Sequence, residues 1–359
     1  MLFLLYLIAI VFYCFTILWI RRYWIIYNTQ ETKVVRPKPF VSVVIAFKNE
    51  LKSLPALLTH LHNQTFSKSL FEIIIVNDHS IDGDYQWLVT HNVKLIHSLK
   101  RGKKAALHQG ITVANGEFVI TTDADCLPPP TWIESMIKAY QTSSAAMIMG
   151  PVTLCQVKRS FFQGFQFMDF MALQLSGGGM AIGNRPVFCN GANLGFAKEA
   201  WLKAIEVQDG RDFASGDDVF LLHAFKTLRL KIFYLKDKKA IIKTQPVDSW
   251  RQFFRQRIRW GGKSKAYNDI ETLLLGFMVF LTNFLLVLTL FSLAWGGVSW
   301  IVLAVGFFLK FIADLALLKS GESFFNYKVR RSHFFIYSIF FPFYIVYAAL
   351  AGFLCKEKW

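Results

Sequence analysis

Four long apolar runs constrain this chain more than any other feature of its sequence. One run, Leu2–Ile20, lies near the start, and three more close the chain at about Leu273–Leu293, Val298–Leu318 and Phe334–Leu354. A helix needs about 20 apolar residues to cross the hydrocarbon core of a bilayer, and each run has roughly that length. The sequence therefore predicts a multi-pass membrane protein with an N-terminal span and about three C-terminal spans.

Basic residues beside these runs predict how the chain is oriented. Arg21 and Arg22 follow the first run, and the segment KSGESFFNYKVRRSH separates the last two. Lys and Arg are enriched on the cytoplasmic side of membrane proteins. We therefore expect an integral cell-membrane protein whose central block, Arg36–Asp269, is cytoplasmic. The first run lacks the preceding positive charge of a signal peptide, so we expect it to be a retained anchor.

The net charge of +16 would suit a nucleic-acid-binding protein, but its distribution indicates other partners. Much of it lies beside the apolar runs and in Lys236–Lys243, where anionic lipid headgroups attract basic residues. A protein that handles a nucleotide diphosphate is also expected to be basic. We predict membrane lipids as partners and no nucleic acid. The five cysteines form no Cys-x-x-Cys pair, so we expect reduced packing residues.

The central block alternates short apolar runs with helical patterns. The runs predict strands over 41–46, 71–78, 93–98 and 117–123, and helices are predicted between them over about 50–64, 85–91 and 103–114. Strands that alternate with helices are typical of an α/β fold with a doubly wound, mainly parallel sheet.

Acidic residues follow two of the predicted strands. Asp78 ends the second strand, and Asp123 and Asp125 follow the fourth in the segment TTDADC. Residues two apart on a strand project to the same side, so both carboxylates are expected to face one point. Ligands of open α/β sheets bind at the carboxyl ends of the strands, and paired carboxylates suit a hard divalent cation. A turn-forming role for Asp78 is the alternative.

The second half of the block adds two features. FCNGANLGF (188–196) is rich in small residues, which lets backbone approach a ligand closely. In ASGDDVFLL (214–222), Asp217 and Asp218 stand at a predicted helix start. They are either reactive carboxylates or acids that cap the helix.

The segment DSWRQFFRQRIRWGG (248–262) predicts an amphipathic helix. Gln256, Arg259 and Trp260 are spaced by three and four, so they are expected on one face. A guanidinium there can chelate a diphosphate, and an indole can stack on a sugar or a lipid acceptor. An interfacial helix with snorkelling arginines is the alternative.

Taken in order, these segments resemble the membrane-bound glycosyltransferase family 2. The resemblance covers about residues 40–260 and rests on VSVVIAFKNE, Asp78, GKKAALHQG, DAD, GANLGF, GDD and the Gln-x-x-Arg-Trp match QRIRW. It implies a Rossmann-like GT-A domain over 36–247, between an anchor over 1–28 and an interfacial helix over 248–269, with membrane helices over 270–359. It also implies a nucleotide-sugar donor, expected to be a UDP-sugar, Mg²⁺ or Mn²⁺ as the cofactor, and inversion at the anomeric carbon.

The resemblance also implies a role for each matching residue. Ala46, Lys48, Glu50 and Asp78 would hold the nucleoside, and Lys103 would lie near the nucleotide. Asp123 and Asp125 would hold the donor sugar and the metal on its diphosphate. Asp218 would be the catalytic base with Asp217 beside it, while Gln256, Arg259 and Trp260 would cap the diphosphate and shape the acceptor site. Two positions depart from the family pattern, because Asn77 and Ala46 stand where many members have Asp and Pro.

Several functions fit this pattern. The first is transfer of one sugar to a lipid or saccharide acceptor at the cytoplasmic face. A processive polysaccharide synthase shares the same motifs, a nucleotidyltransferase would use the same metal chemistry, and a non-catalytic membrane scaffold would keep the fold without the activity. Four predicted spans leave little material for a polysaccharide channel, which favours the first function. In the third span, we predict that Lys310 and Asp314 pair, because charged side chains at membrane depth need partners.

Overall fold

The computed structural model describes most of the chain, over residues 2–27, 37–155, 160–208, 217–293 and 300–354. The chain divides into two compact units. The sheet unit comprises Asn28–Cys155 and Pro186–Gln245, and the membrane unit comprises Met1–Tyr27, Gln156–Arg185 and Pro246–Trp359. The segment boundaries expected from the sequence remain predictions, and this division assigns Gln156–Arg185 to the membrane unit.

The sheet unit is built on a seven-stranded sheet in the order β3-β2-β1-β4-β7-β5-β8, beside which β6 and β9 form a parallel pair. Only β7 runs antiparallel to its neighbours. The strands are β1 (Val41–Phe47), β2 (Phe71–Asn77), β3 (Lys94–His97), β4 (Phe118–Thr121), β5 (Met147–Met149), β6 (Val152–Leu154), β7 (Leu194–Ala197), β8 (Ile232–Tyr234) and β9 (Ile242–Thr244). The predicted α/β fold with a mainly parallel sheet is confirmed.

Helices cover the sheet and form the membrane unit. In chain order they are α1 (Leu2–Ile26), α2 (Leu54–His62), α3 (Lys103–Thr112), α4 (Trp132–Ser143), α5 (Phe161–Ile182), α6 (Lys198–Val207), α7 (Asp217–Thr227), α8 (Trp250–Gly262), α9 (Ile270–Ser292), α10 (Trp300–Phe325) and α11 (Arg331–Leu354). The helix predicted at about 85–91 is a short 3-10 helix, Gln86–His91, which ends because Asn92 takes a left-handed conformation (φ 53°).

The first strand shows why its sequence folds as it does. All seven residues of β1, VSVVIAF, are buried. A parallel strand between two others has both faces covered, so it is apolar along its length rather than alternating. Because β1 pairs in parallel with β2 on one side and β4 on the other, the carboxyl ends of these three strands meet at one edge of the sheet.

The side chain of Asn193 joins three parts of the sheet unit and is fully buried. Its Nδ2 donates to the carbonyl oxygens of Pro151 (2.8 Å) and Ala240 (2.9 Å), while its Oδ1 accepts from Trp132 Nε1 (2.9 Å). Gly150 lies against the same amide, since a Cβ at this position would come within 2.3 Å of it. Asn193 therefore fixes the turn before β7 against α4 and the segments beside β6 and β9.

We expect Asn193→Ala to lower the free energy of unfolding by about 3 kcal/mol or more. The substitution leaves three buried polar groups without a partner, and each costs about 1–3 kcal/mol. The measurement is thermal unfolding of the full-length protein in detergent. The exposed Gln86→Ala is the control and should stay within about 0.5 kcal/mol of the parent. Equal losses in the two variants would contradict this role of Asn193.

Four of the described helices, α1, α9, α10 and α11, are long and apolar enough to cross a membrane. Side chains along α1 donate to carbonyls that succeed one another along α10: Tyr6 Oη to Leu303 (3.3 Å), Arg21 Nε to Ala316 (3.1 Å) and Trp24 Nε1 to Ser320 (3.2 Å). The two helices therefore run in the same direction. Helix α9 packs against α1, because Thr282 Oγ1 donates to Ala9 O at 3.4 Å and Leu285 and Leu286 share an apolar cluster with Tyr6, Ala9 and Ile10.

The predicted pair of Lys310 and Asp314 is confirmed. Lys310 Nζ lies 2.6 Å from Asp314 Oδ2, and Tyr13 of α1 donates to Asp314 Oδ1 at 2.7 Å. The Lys310 ammonium also lies 5.0 Å from the Tyr13 ring centroid and 4.8 Å from that of Phe341. Both side chains of the pair contact other helices of the protein, so neither charge is exposed to lipid hydrocarbon.

A second buried ion pair joins α8 to α5. Arg257 Nε donates to Asp169 Oδ2 at 2.8 Å, its Nη2 lies 2.6 Å from the same oxygen, and both side chains are 4% exposed. The guanidinium lies 4.5 Å from the ring centroid of Phe253 and 4.3 Å from that of Trp260, while its Nη1 donates to Gln256 Oε1 at 2.5 Å. Arg257 therefore holds α8 on α5 and is itself packed by two residues of the QRIRW segment.

We expect Asp169→Leu or Arg257→Met alone to destabilise the protein by about 3–5 kcal/mol, because each leaves a buried charge without its partner. The double variant should recover most of the loss, since two apolar side chains can replace a buried pair at little cost. Thermal unfolding in nanodiscs measures all three variants, with the exposed Arg255→Met as the control. Additive losses in the double variant would show that the pair is not coupled.

Candidate active site

The candidate site lies at the carboxyl ends of β1, β2 and β4 in the sheet unit. The loops after β1 and β2 are joined there by hydrogen bonds: Asp78 N donates to Phe47 O (2.8 Å), Asn49 N to Ser80 Oγ (2.9 Å) and Ile81 N to Asn49 Oδ1 (2.9 Å). Ala46 is buried in β1, Lys48 is exposed, and Glu50 accepts a bond from Ser53 Oγ at 2.8 Å. Ala46 thus lies one residue before the end of β1, and Lys48 and Glu50 lie in the loop that follows β1.

Asp78 is buried and anchors the turn that begins α3. Its two carboxylate oxygens accept from the backbone N–H of Gly102 at 2.9 and 3.0 Å. Gly102 has φ 109°, a backbone conformation that residues with a Cβ rarely adopt, so glycine is required at this turn. Lys103, the next residue, is thereby presented at the start of α3.

Asp123, Asp125 and Lys103 meet beyond the end of β4. Lys103 Nζ lies 2.5 Å from Asp123 Oδ1, and Thr244 Oγ1 donates to Asp125 Oδ2 at 3.1 Å. Asp123 and Asp125 each place a carboxylate oxygen within 4.8 Å of the other and of Cys126 Sγ. Burial, and then the charge of Asp123, raises the pKa of Asp125 above its ordinary value.

This cluster fits a hard divalent cation such as Mg²⁺ or Mn²⁺. The two carboxylates are the kind of ligand that these ions take, together with oxygens from a bound phosphate. Burial raises the pKa of the Cys126 thiol well above its usual range, so the sulfur stays protonated and is a poor ligand. In the protein alone, the Lys103 ammonium supplies positive charge at Asp123.

Asp218 lies in the first turn of α7 and is held by backbone. Its Oδ2 accepts from Gly191 N at 2.8 Å and its Oδ1 from Val219 N at 2.9 Å. Thr121, the last residue of β4, donates from its Oγ1 to Gly191 O at 2.9 Å. The expectation that the GANLGF segment brings backbone close to a ligand stays a prediction. In this structure, the backbone of Gly191 bonds to both Asp218 and Thr121 and so holds Asp218 beside the end of β4. Asp217 begins α7, but its side chain lies outside the described residues.

Gln256, Arg259 and Trp260 belong to the membrane unit, on α8. Gln256 and Trp260 both contact Arg257, as described above, and Arg259 is exposed. In the sheet unit, direct contacts and short bridges through backbone link five of the predicted site residues: Asp78, Lys103, Asp123, Asp125 and Asp218. The three predicted residues of α8 belong to the membrane unit.

Sequence reasoning missed several residues that support these groups. Thr244 and Thr121 carry no local signal, because each contacts a residue distant in sequence. Arg257 could have been found from its partner, since Asp169 is an acid inside the apolar stretch FFQGFQFMDFMALQL. An ionisable residue in such a stretch must find an opposite charge.

Comparison with known proteins agrees with this geometry. The family model described as glycosyl transferase family 2 matches residues 42–200. The glycosyltransferase AglE of Haloferax volcanii is 28% identical over 120 residues, which are 32% of this chain and 40% of the relative. A Methanococcus voltae enzyme, dolichyl N-acetyl-alpha-D-glucosaminyl phosphate 3-beta-D-2,3-diacetamido-2,3-dideoxy-beta-D-glucuronosyltransferase, is 24% identical over 236 residues, 62% of this chain and 72% of that one.

Among solved structures, the mannosyltransferase PcManGT from Pyrobaculum calidifontis, in complex with GDP-Man and Mn²⁺, superposes with a TM-score of 0.58 and 17% identity. The superposition covers 99% of this chain and 100% of that structure, and it shows a shared fold. The sheet order, the family match and the relatives agree with one another. Residues 42–200 therefore match glycosyl transferase family 2, and the chain has the GT-A fold.

Proposed function

We propose that this protein transfers a sugar, with inversion, from a nucleotide-sugar donor to a lipid-linked acceptor at the cytoplasmic face of the membrane. The observation that carries the proposal is the cluster of Lys103, Asp123 and Asp125 beside Asp218 in the sheet unit. The cluster supplies charges that can stabilise a departing diphosphate, directly or through a metal ion, and Asp218 supplies a carboxylate that can accept the acceptor's proton.

In this proposal, the nucleoside lies along the β1 and β2 loops, against Ala46, Lys48, Glu50 and Asp78. The bonds between these loops hold them in a fixed position before any ligand arrives. The UDP-sugar expected from the sequence remains a prediction. PcManGT was solved with GDP-Man, so donors of both bases belong in any test.

Asp123 and Asp125 would hold the Mg²⁺ or Mn²⁺ that neutralises the diphosphate as it leaves. Lys103 is placed to shift from Asp123 toward the diphosphate oxygens, since its amine lies at the end of a flexible side chain. Metal binding by the two carboxylates and the shift of Lys103 to the diphosphate together keep opposite charges paired at the site.

Asp218 is the proposed base for a hydroxyl acceptor. The acceptor oxygen forms a bond to the anomeric carbon as the bond from that carbon to the diphosphate oxygen breaks, and the acceptor proton passes to an Asp218 oxygen. Attack from the side opposite the leaving group inverts the anomeric carbon. Backbone bonds from Gly191 and Val219 fix this carboxylate, which keeps the distance to the acceptor constant.

Gln256, Arg259 and Trp260 are the proposed cap of the diphosphate and part of the acceptor site, as the family resemblance implies. Their support in this structure is indirect. The Arg257–Asp169 pair orders the helix on which all three stand.

Two observations support a lipid-linked acceptor. Four described helices have the length and composition of membrane spans. The Methanococcus voltae relative is named for transfer to a dolichyl-linked sugar phosphate. A processive polysaccharide synthase is the alternative enzyme, and it differs in giving products of many sugars. The carboxylate cluster argues against a non-catalytic scaffold.

The test is a donor screen with the purified protein in nanodiscs. UDP- and GDP-sugars are incubated with and without Mn²⁺, first alone to measure hydrolysis and then with polyprenyl-linked sugars or free oligosaccharides. We expect metal-dependent turnover of one donor and addition of one sugar to the lipid-linked acceptor. Long saccharide products would favour the synthase, and absence of turnover with every donor would contradict the proposal.

We expect Asp125→Asn to weaken Mn²⁺-dependent donor binding at least about tenfold while the protein still folds. Changing even a residue that only supports a metal ligand costs 10–100-fold in affinity, and Asp125 is a proposed ligand itself. Isothermal titration with the nucleotide, with and without Mn²⁺, gives the affinity independently of turnover. The exposed Glu117→Gln is a matched control for loss of one charge. Unchanged metal dependence in Asp125→Asn would remove this residue from the metal site.

We expect Asp218→Asn to lower the rate of transfer to a hydroxyl acceptor by about 10²–10⁴-fold, with donor affinity nearly unchanged, because a base acts in the transition state. Asp217→Asn should reduce the rate less and acceptor affinity or stability more. Transfer rates and donor affinities of both variants decide the assignment. If Asp217→Asn is the inactive variant and Asp218→Asn retains its rate, the base is Asp217.

A further inference from the structure

The last helix, α11, has the length of a membrane span, but its contacts place it differently. Its second half lies side by side with α8: Phe254 contacts Tyr347, Gly261 lies against Ala348, and Gly262 lies against Gly352. Lys265, just beyond α8, stands over the Phe353 ring at 4.9 Å. Residue numbers increase together on the two sides of these contacts, so α8 and the second half of α11 run in parallel.

Helix α8 cannot lie within the hydrocarbon core. Its exposed side carries Arg251, Arg255 and Arg259, and Lys265 follows it. A single Arg or Lys at the centre of a bilayer is costly, and four in succession are more so. The residues of α11 that pack beside α8 are therefore at the depth of the headgroups on one side of the membrane.

The connection to α9 identifies that side. Lys265 precedes the start of α9, Ile270, by five residues. Five residues reach at most about 18 Å, which is short of the roughly 30 Å of hydrocarbon. The end of α11 is therefore on the side where α9 begins. Leu293, which caps α9, precedes the start of α10 by seven residues, which reach at most about 25 Å, so a crossing α9 ends where α10 begins and starts on the side where α10 ends. Because α10 runs parallel to α1, this is the side where α1 ends.

The start of α11 lies on the same side. Helix α10 runs parallel to α1, so its end, Phe325, is on the side where α1 ends, and Arg331 follows after a short connection. Helix α11 contacts α10 through Phe334, near its start, against Phe311, and through Phe341, near its middle, beneath Lys310. The Lys310–Asp314 pair stands at this level of α10, and Arg21 bonds to the Ala316 carbonyl within one turn of Asp314.

We infer that α11 does not cross the membrane but lies along one membrane surface, paired with α8. A 24-residue helix is about 36 Å long, and with both ends on one side it must lie along the surface. Of the four helices of sufficient length, three then cross: α1, α9 and α10. Leu354, the last residue of α11, stands on the same side as the α10–α11 connection.

The surface of this pair fits a lipid leaflet as its partner. Beyond its first turn, the exposed large side chains of α11 are all apolar and form a broad face: Phe335, Ile336, Ile339, Phe340, Phe343, Tyr347, Leu350, Phe353 and Leu354. The exposed residues of α8 are mostly basic. An apolar face beside a basic one is the pattern of a helix that rests in the acyl region under anionic headgroups.

Site-specific labelling with a membrane-impermeant maleimide tests the inference in the full-length protein. Cys355 directly follows α11 and reports its end, Lys328→Cys reports the α10–α11 connection, and Ser299→Cys reports the opposite end of α10. Labelling is read by peptide mass spectrometry in intact and permeabilised cells, so the other cysteines remain in place.

We expect Cys355 to follow the labelling pattern of Lys328→Cys and to differ from that of Ser299→Cys. A protease-cleavable tag after Trp359 gives a second measurement that does not depend on maleimide chemistry. If Cys355 and the tag share the accessibility of Ser299→Cys, α11 crosses the membrane and the inference is wrong. If Lys328→Cys and Ser299→Cys report the same side, α10 does not cross and the inference fails as well.

Discussion

The requirement that a charge removed from bulk water must meet an opposite charge organises both units of this protein. In the sheet unit, the partly exposed Lys103 pairs with Asp123 beside Asp125, whose carboxylate is more deeply buried. In the membrane unit, the buried Arg257 fixes α8 on α5 through Asp169. Low dielectric makes an unpaired charge costly and makes a well-placed pair rigid. The same constraint thus positions the candidate chemistry and the helix that carries the QRIRW segment.

The parts of the fold that could be predicted from sequence are those specified by local patterns. Strands β1, β2 and β4 are largely continuous apolar runs, because both faces of a parallel strand inside a sheet are buried, and the helix between parallel strands follows from chain connectivity. The cluster of Asp78, Asp123 and Asp125 follows from the same rule, since adjacent parallel strands end at one edge. Membrane-length helices are visible from composition alone.

The unpredicted parts rest on contacts between distant residues. No local pattern indicates that Asn193 bonds to Trp132, or that Thr244 reaches Asp125. Helix α11 is the clearest case, because its composition is that of a span while its contacts tie both ends to one side. Hydropathy measures how well a helix tolerates lipid and contains no information about direction.

The pairing of α8 with α11 has a consequence for the bilayer itself. Three crossing helices occupy equal area in both leaflets, whereas α8 and α11 add area to one leaflet alone. Lipids in that leaflet must spread apart to admit the pair, and the strain is relieved when the membrane bends outward on that side. Binding of in-plane helices is sensitive to curvature for this reason. The membrane unit is therefore better accommodated where its own leaflet is convex than in a flat sheet.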